Sequence, residues 1–205
     1  DWSPFLGYDS DGKRCQFYVD RSHMRHRDDV VARGIFEKRF GGTRYDIPIA
    51  MEGGNLLSNG HGIILTSQTV MVTNQTRHSR EQLARIFEDS IGFSKWAAVL
   101  PLHGDRTGHV DLFATFLSPD LLIVGAPDEK EDPINYRTLN ETVETLRSLD
   151  TPAGKLRVER IPMPSSKDCN FRSYNNVIFA NGLLIVPAYP RSNPKLDRRV
   201  LDIYR

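Results

Sequence analysis

The sequence predicts an α/β fold assembled from a repeated strand–strand–helix–strand unit, and three observations carry that expectation. First, Gly62-Ile63-Ile64-Leu65, Leu121-Leu122-Ile123-Val124 and Leu183-Leu184-Ile185-Val186 read alike, each an apolar run that follows a turn. Second, they align at Ile64, Ile123 and Ile185, in steps of 59 and 62 residues. Third, each interval holds a hairpin, a helix and a further strand, so the period is one supersecondary unit, ββαβ. Units of this size cannot bury their own apolar faces alone and must stack in a line or close into a ring. A shorter step of 46 residues, from Tyr18 to Ile64, adds an earlier copy.

The elements follow in order. Trp2–Tyr8 and Arg14–Val19 form the first expected hairpin around the turn Asp9-Ser10-Asp11-Gly12. His26–Phe40 places Val30, Val31, Ile35, Phe36 and Phe40 at helical spacing and stops at Gly41-Gly42. Asp46–Met51 is a strand leading into Glu52-Gly53-Gly54-Asn55. The hairpin Asn55–Leu57 and Ile63–Thr66 turns around residues 58–62. Ser79–Ile91 is a helix with a capping box, Ser79 and Gln82, and an apolar stripe at Leu83, Ile86 and Phe87.

Lys95–Leu100 is the next strand, followed by the polar loop His103–Thr107. From Gly108 the residues alternate, His109, Asp111 and Phe113 on one side and Val110 and Leu112 on the other. That pattern reads as a strand, turning at Ser118-Pro119-Asp120 into Leu121–Val124. On such a strand His109 and Asp111 share a face. Pro133–Leu149 is a helix, Leu156–Ile161 a strand, and Ser173–Phe179 with Leu183–Val186 a hairpin around Ala180-Asn181-Gly182. Pro194 begins a last helix.

Composition bounds the function. The 27 basic and 26 acidic residues nearly cancel, which gives no general attraction to nucleic acid or membrane. No apolar segment approaches the roughly 20 residues of a membrane span, and Asp1-Trp2-Ser3-Pro4 does not read as a signal peptide. Two cysteines, Cys15 and Cys169, make no disulfide framework, so a reducing, cytoplasmic compartment is the default. The chain starts without Met and ends in what reads as an interrupted helix, the pattern of a fragment. Polar residues gather where the expected strands end: Asp1, Glu52, His109 with Asp111, and Ser173 with Asn175.

Four motifs occur in order: Asp-Trp-Ser-Pro at 1–4, Glu-Gly-Gly-Asn at 52–55, Gly-His-Val-Asp at 108–111, and Tyr-Asn-Asn-Val-Ile-Phe-Ala-Asn-Gly-Leu-Leu-Ile-Val-Pro-Ala-Tyr at 174–189. Together they resemble the agmatine deiminase and bacterial, Porphyromonas-type peptidylarginine deiminase family of guanidino-group-modifying enzymes. The resemblance implies a pseudo-symmetric α/β propeller, the pentein, of five ββαβ modules around a central site. Residues 1–205 would then be a single, partial deiminase-type domain: the later part of module one, modules two and three, and most of module four, an incomplete ring.

By the same resemblance His109 and Glu52 are catalytic, and Asp1, Asp111 and Trp2 bind substrate. No metal or cofactor is implied, and the oligomeric state is open. The substrate would be agmatine, on the way to putrescine and polyamines, or free or peptidyl arginine. The family's nucleophile is a Cys in a Gly-rich segment of the fifth module, beyond residue 205. Cys15 and Cys169 lack the flanking glycines, so this piece alone would be inactive. Arg106-Thr107 is less acidic than a site reading agmatine's distal amine should be.

Those residue types suit the chemistry. A guanidinium is planar, permanently charged and forked, and carboxylates can hold it bidentately. A His can protonate a leaving nitrogen and then activate water. Other readings are an amidinotransferase of the same superfamily, a member that binds guanidinium without turnover, and a metal-dependent hydrolase using His103, Asp105, His109 and Asp111.

Overall fold

A computed structural model describes residues 4–20, 26–168 and 170–205. Three sheets of identical topology appear among them. Strand β1 (Phe5–Tyr8) pairs antiparallel with β2 (Arg14–Asp20), which pairs parallel with β3 (Thr43–Ala50) across helix α1 (His26–Phe40). The second unit has β4 (Leu57–Ser58), β5 (Ile63–Ser67), α2 (Thr69–Asn74), α3 (Arg80–Ile91) and β6 (Lys95–Val99). The third has β7 (Ala114–Ser118), β8 (Leu121–Ala126), α4 (Pro133–Arg147), the small pair β9 (Asp150–Thr151) and β10 (Gly154–Lys155), and β11 (Arg157–Pro162). In both, the hairpin is antiparallel and the strand after the helix returns parallel to the middle strand. The hairpin β12 (Ile178–Ala180) and β13 (Leu183–Ile185), followed by α5 (Pro194–Tyr204), opens a fourth.

Local chemistry explains the boundaries. Ser79 accepts from the Gln82 amide while the Gln82 side chain accepts from the Ser79 amide, the expected capping box. Asn181 and Gly182 both have positive φ, 51° and 79°, which is what a two-residue hairpin turn twisted with its strands requires. The aligned residues Ile64, Ile123 and Ile185 fall on β5, β8 and β13, so the sequence period is the structural one.

The middle strands are buried on both faces, which is why they read as unbroken apolar runs. Ile64 packs with Cys15, Ile49, Met51, Leu83 and Phe87, whereas its neighbour Leu65 enters a second core with Val99, Phe113, Leu122, Leu139 and Val143. Ile123 turns to a third, with Ile161, Tyr174 and Val200. Each unit therefore borrows its neighbour's surface to complete a core. The described sheets are separate, and none closes on itself.

Several expectations need correction: the strand expected over Ser173–Phe179 is confined to Ile178–Ala180, and that at Asn55–Leu57 to Leu57–Ser58. Helix α1 has the expected bounds, but Val30 is 69% and Ile35 56% exposed. Its docking is polar at the carboxyl end, where the buried Gln16 donates to the Phe36 and Gly41 carbonyls and Arg14 donates to that of Phe40. More important for function, residues 108–113 are not a strand. The amides of Phe113 and Ala114 both donate to the Val110 carbonyl, forming a tight turn, and β7 starts only at Ala114. No helix among the described residues is long and apolar enough to cross a membrane.

Candidate active site

Strand β3 delivers the chain to Glu52, where it leaves the sheet. The Met51 amide donates to the Asp20 carbonyl, and Gly53–Asn55 make one 3-10 turn with Asn55 N donating to Glu52 O. Asn55, 3% exposed, fixes that turn to the second unit. Its Oδ1 accepts the Ser67 amide at 2.7 Å, and its Nδ2 donates to Ser67 Oγ at 3.0 Å and Thr69 Oγ1 at 2.6 Å. The Glu52 loop is thus tied to the point where β5 becomes α2. Replacing Asn55 with Ala leaves several buried groups without partners. We expect a loss of about 2–4 kcal/mol, read as a lowered denaturant midpoint with the slope unchanged.

The turn carrying His109 and Asp111 is positioned from both ends. Gly108 has φ +64°, and a Cβ there would lie 2.5 Å from Thr69 Cγ2, so both backbone conformation and space demand glycine. Thr107 is held by Asp105 through its amide and hydroxyl, and its Oγ1 accepts from the His109 amide. Val110 and Phe113, both fully buried, anchor the turn in the second core.

His109 and Asp111 converge over Gly54. The Asp111 amide donates to the Gly54 carbonyl at 3.2 Å. A Cβ on Gly54 would overlap His109 Nδ1 and stand 2.7 Å from Asp111 Oδ2. The pair does point together, as expected, but a turn achieves it rather than strand alternation. His109 Nε2 is shielded from solvent and has no hydrogen-bond partner among the described residues. A proton-transfer nitrogen in that state is available to a bound molecule.

Burial pushes the Asp111 carboxyl above its ordinary range, against the pull of His109 and helped by the charge of Asp105. The folded protein therefore binds the Asp111 proton more tightly than the unfolded chain. The resulting stabilisation is complete below the usual carboxylate range and is lost as pH rises through the raised value. Asp111→Asn should accordingly raise the melting temperature at neutral pH and flatten that part of the stability–pH curve.

Glu52, 8% exposed, lines a cavity of about 380 Å³ with Asn55, Thr69, Thr73, Arg106 and Thr107. His109 and Asp111 are not in its wall; they pack on Gly54, and the His109 amide is linked to the lining residue Thr107 by a hydrogen bond. A larger hollow of about 1000 Å³ opens between the ends of β8 and β11 and the start of α5, beside the Asp168–Arg172 ion pair. It holds none of Glu52, His109 or Asp111. Asp1 and Trp2 lie outside the described residues, as does Cys169.

Cys15 is buried near the start of β2, in the first core with Ile49 and Ile64, a structural position. His103, Asp105, His109 and Asp111 are not gathered as metal ligands: among the described residues no three His, Cys, Asp or Glu side chains form such a group. Ser173 and Asn175 are buried, with Asn175 Nδ2 donating to the Ile123 carbonyl. The motif 174–189 acts largely as a strap for α5, since Tyr174 Oη and the Tyr189 amide both donate to Asp197.

The chain is similar to known proteins in both sequence and fold. The chain is 32% identical over 172 residues to a provisionally named agmatine deiminase of Legionella pneumophila, covering 79% of this chain and 49% of that one. It is 27% identical over 206 residues to the agmatine deiminase of Stutzerimonas stutzeri, covering 87% and 54%. The chain thus spans about half the length of the curated relatives it matches. In fold it superposes on the agmatine deiminase of Enterococcus faecalis with a TM-score of 0.82 at 20% identity, covering 98% of this chain and 64% of that one. The family model for Porphyromonas-type peptidyl-arginine deiminase matches residues 10–205, and the chain belongs to that family.

Proposed function

We propose that the protein containing this chain is a deiminase that hydrolyses a guanidinium C–N bond and releases ammonia. The observation that carries the reading is the buried, unpartnered His109 Nε2 beside a carboxyl whose proton affinity burial has raised, both seated on Gly54. A guanidinium arriving there supplies the positive charge that a desolvated carboxylate lacks. The names of the agmatine deiminase relatives point the same way.

In this reading the repeated units are modules of a five-membered propeller, of which residues 1–205 are one partial, deiminase-type domain. Asp111, Asp1 and Trp2 bind the flat cation, and Glu52 supports the site. A Cys thiolate from a following module attacks the central carbon, forming C–S as C–N breaks. His109 gives the departing nitrogen its proton, and ammonia leaves. Water, deprotonated by His109, adds to the thiouronium, the C–S bond breaks, and a ureido product and the thiolate are returned. The reaction needs no metal or cofactor, and we place it in the cytoplasm.

The test is the complete protein incubated with agmatine, arginine and peptides ending in arginine. Equimolar ammonia and ureido product from at least one of them is the expected result. Their absence from all three overturns the proposal.

A further inference from the structure

We propose that Thr69 is a positioning residue for His109, the piece that keeps the Glu52 loop and the His109–Asp111 turn at one fixed separation. The inference rests on the deiminase reading and adds to it a residue that acts through another. Three observations carry it. Thr69 Oγ1 accepts from Asn55 Nδ2 at 2.6 Å and shares a hydrogen bond with Ser67 Oγ, so its hydroxyl holds the end of the Glu52 loop. Its methyl faces the other loop: the three atoms nearest to a Cβ built on Gly108 all belong to Thr69, with Cγ2 at 2.5 Å. The same residue lies in the wall of the cavity that Glu52 lines.

These contacts close a circuit. It runs from Asn55 to Thr69, across to Gly108, along the turn through His109 to Asp111, and back through the Asp111 amide to the carbonyl of Gly54, the residue before Asn55. His109 follows Gly108 directly, and its imidazole packs over Gly54, where a Cβ would overlap Nδ1. A displacement of either loop therefore moves the imidazole. At 3.2 Å the Asp111–Gly54 bond is at the long end of the usual range, so the short bond from Asn55 to Thr69 is the stiffer side. Threonine suits the place because one branched carbon offers a hydroxyl to Asn55 and a methyl to Gly108. That branching, at the first residue of α2, also restricts rotation of the side chain.

The experiment uses the complete protein with agmatine, arginine and arginine-terminated peptides. Thr69→Val keeps the shape and loses the hydroxyl, whereas Thr69→Ser keeps the hydroxyl and loses the methyl. Thr69→Val should lower kcat about ten-fold with KM nearly held, per folded enzyme as fixed by thermal unfolding. Gly108→Ala should lower kcat too, and adding Thr69→Ser, which removes the methyl in the way of the new Cβ, should recover part of that loss. A rise in KM with kcat held makes Thr69 a substrate contact, and activity that falls only in step with folded protein makes it a structural residue. Either result overturns the inference, as does a double variant no better than Gly108→Ala. If Gly108→Ala does not fold, Thr69→Val decides alone. If the wild type turns over no substrate, the deiminase reading falls and hydrogen exchange decides this one. The Asp111 amide should then exchange about ten-fold faster in Thr69→Val while those of β8 and β11 keep their rates. Unchanged exchange at Asp111 refutes it.

Discussion

Gly54→Ala should lower kcat/KM of the complete enzyme by about a hundred-fold, the cost of displacing reacting groups by an ångström or so. The added methyl has nowhere to go. It would occupy the space of His109 Nδ1 and press on Asp111 Oδ2, while the Asp111 amide binds the carbonyl of the same residue. Either the two side chains withdraw or the Glu52 loop backs away, and both separate the proton donor from the carboxylate. The stability cost is the smaller effect, about 1–3 kcal/mol for overpacking a tight site. Steady-state kinetics beside thermal unfolding distinguish the two. Activity lost only in step with folded protein would show that the contact has no catalytic meaning.

His109→Gln should lower kcat by about a hundred- to ten-thousand-fold with KM little changed, the usual range for removing a general acid–base. Glutamine approximates the imidazole's size and its ability to donate and accept hydrogen bonds, so the packing over Gly54 survives. It cannot carry a proton to a leaving amine. The measurement is single-turnover release of ammonia, which isolates the first half-reaction. A variant with ordinary kcat would remove His109 from the mechanism and leave the shielded Nε2 without a role.

The sequence made the framework legible where local chemistry and burial agree. Helix α1 starts at His26 and stops at Phe40 because Gly41 and Gly42, both at positive φ, end it. Ser79 and Gln82 cap α3, and Asn181-Gly182 turns the last hairpin. The repeat was visible because β5 and β8 are buried on both sides and must be apolar throughout. Helix α2 escaped notice because Thr-Val-Met-Val-Thr is rich in β-branched residues, whose preference tertiary packing has overridden.

The sequence set His109 beside Asp111, as the structure does, but on a strand where the chain makes a turn. His-Val-Asp-Leu-Phe alternates as a strand would, yet Val110 and Phe113 are the buried pair, a spacing of three that belongs to a turn. Gly108 was the available clue, since only a residue free to take positive φ fits there. Asn55 stood in a recognised motif, but its role depends on Ser67 and Thr69, twelve and fourteen residues away, and no local pattern announces that. The exposure of Val30 and Ile35 in α1 likewise could not be read from their helical spacing.

The contact between Gly54 and the His109–Asp111 turn joins the link that leaves the first sheet to the loop that enters the third. On the deiminase reading, catalytic competence is then a property of a joint rather than of any single module, and it lasts only while both sides of that joint stay closed. Local opening of either loop would silence the centre long before the chain as a whole melts. Native-state hydrogen exchange at the Asp111 amide should consequently report the lifetime of the working enzyme more faithfully than any global measure of folding.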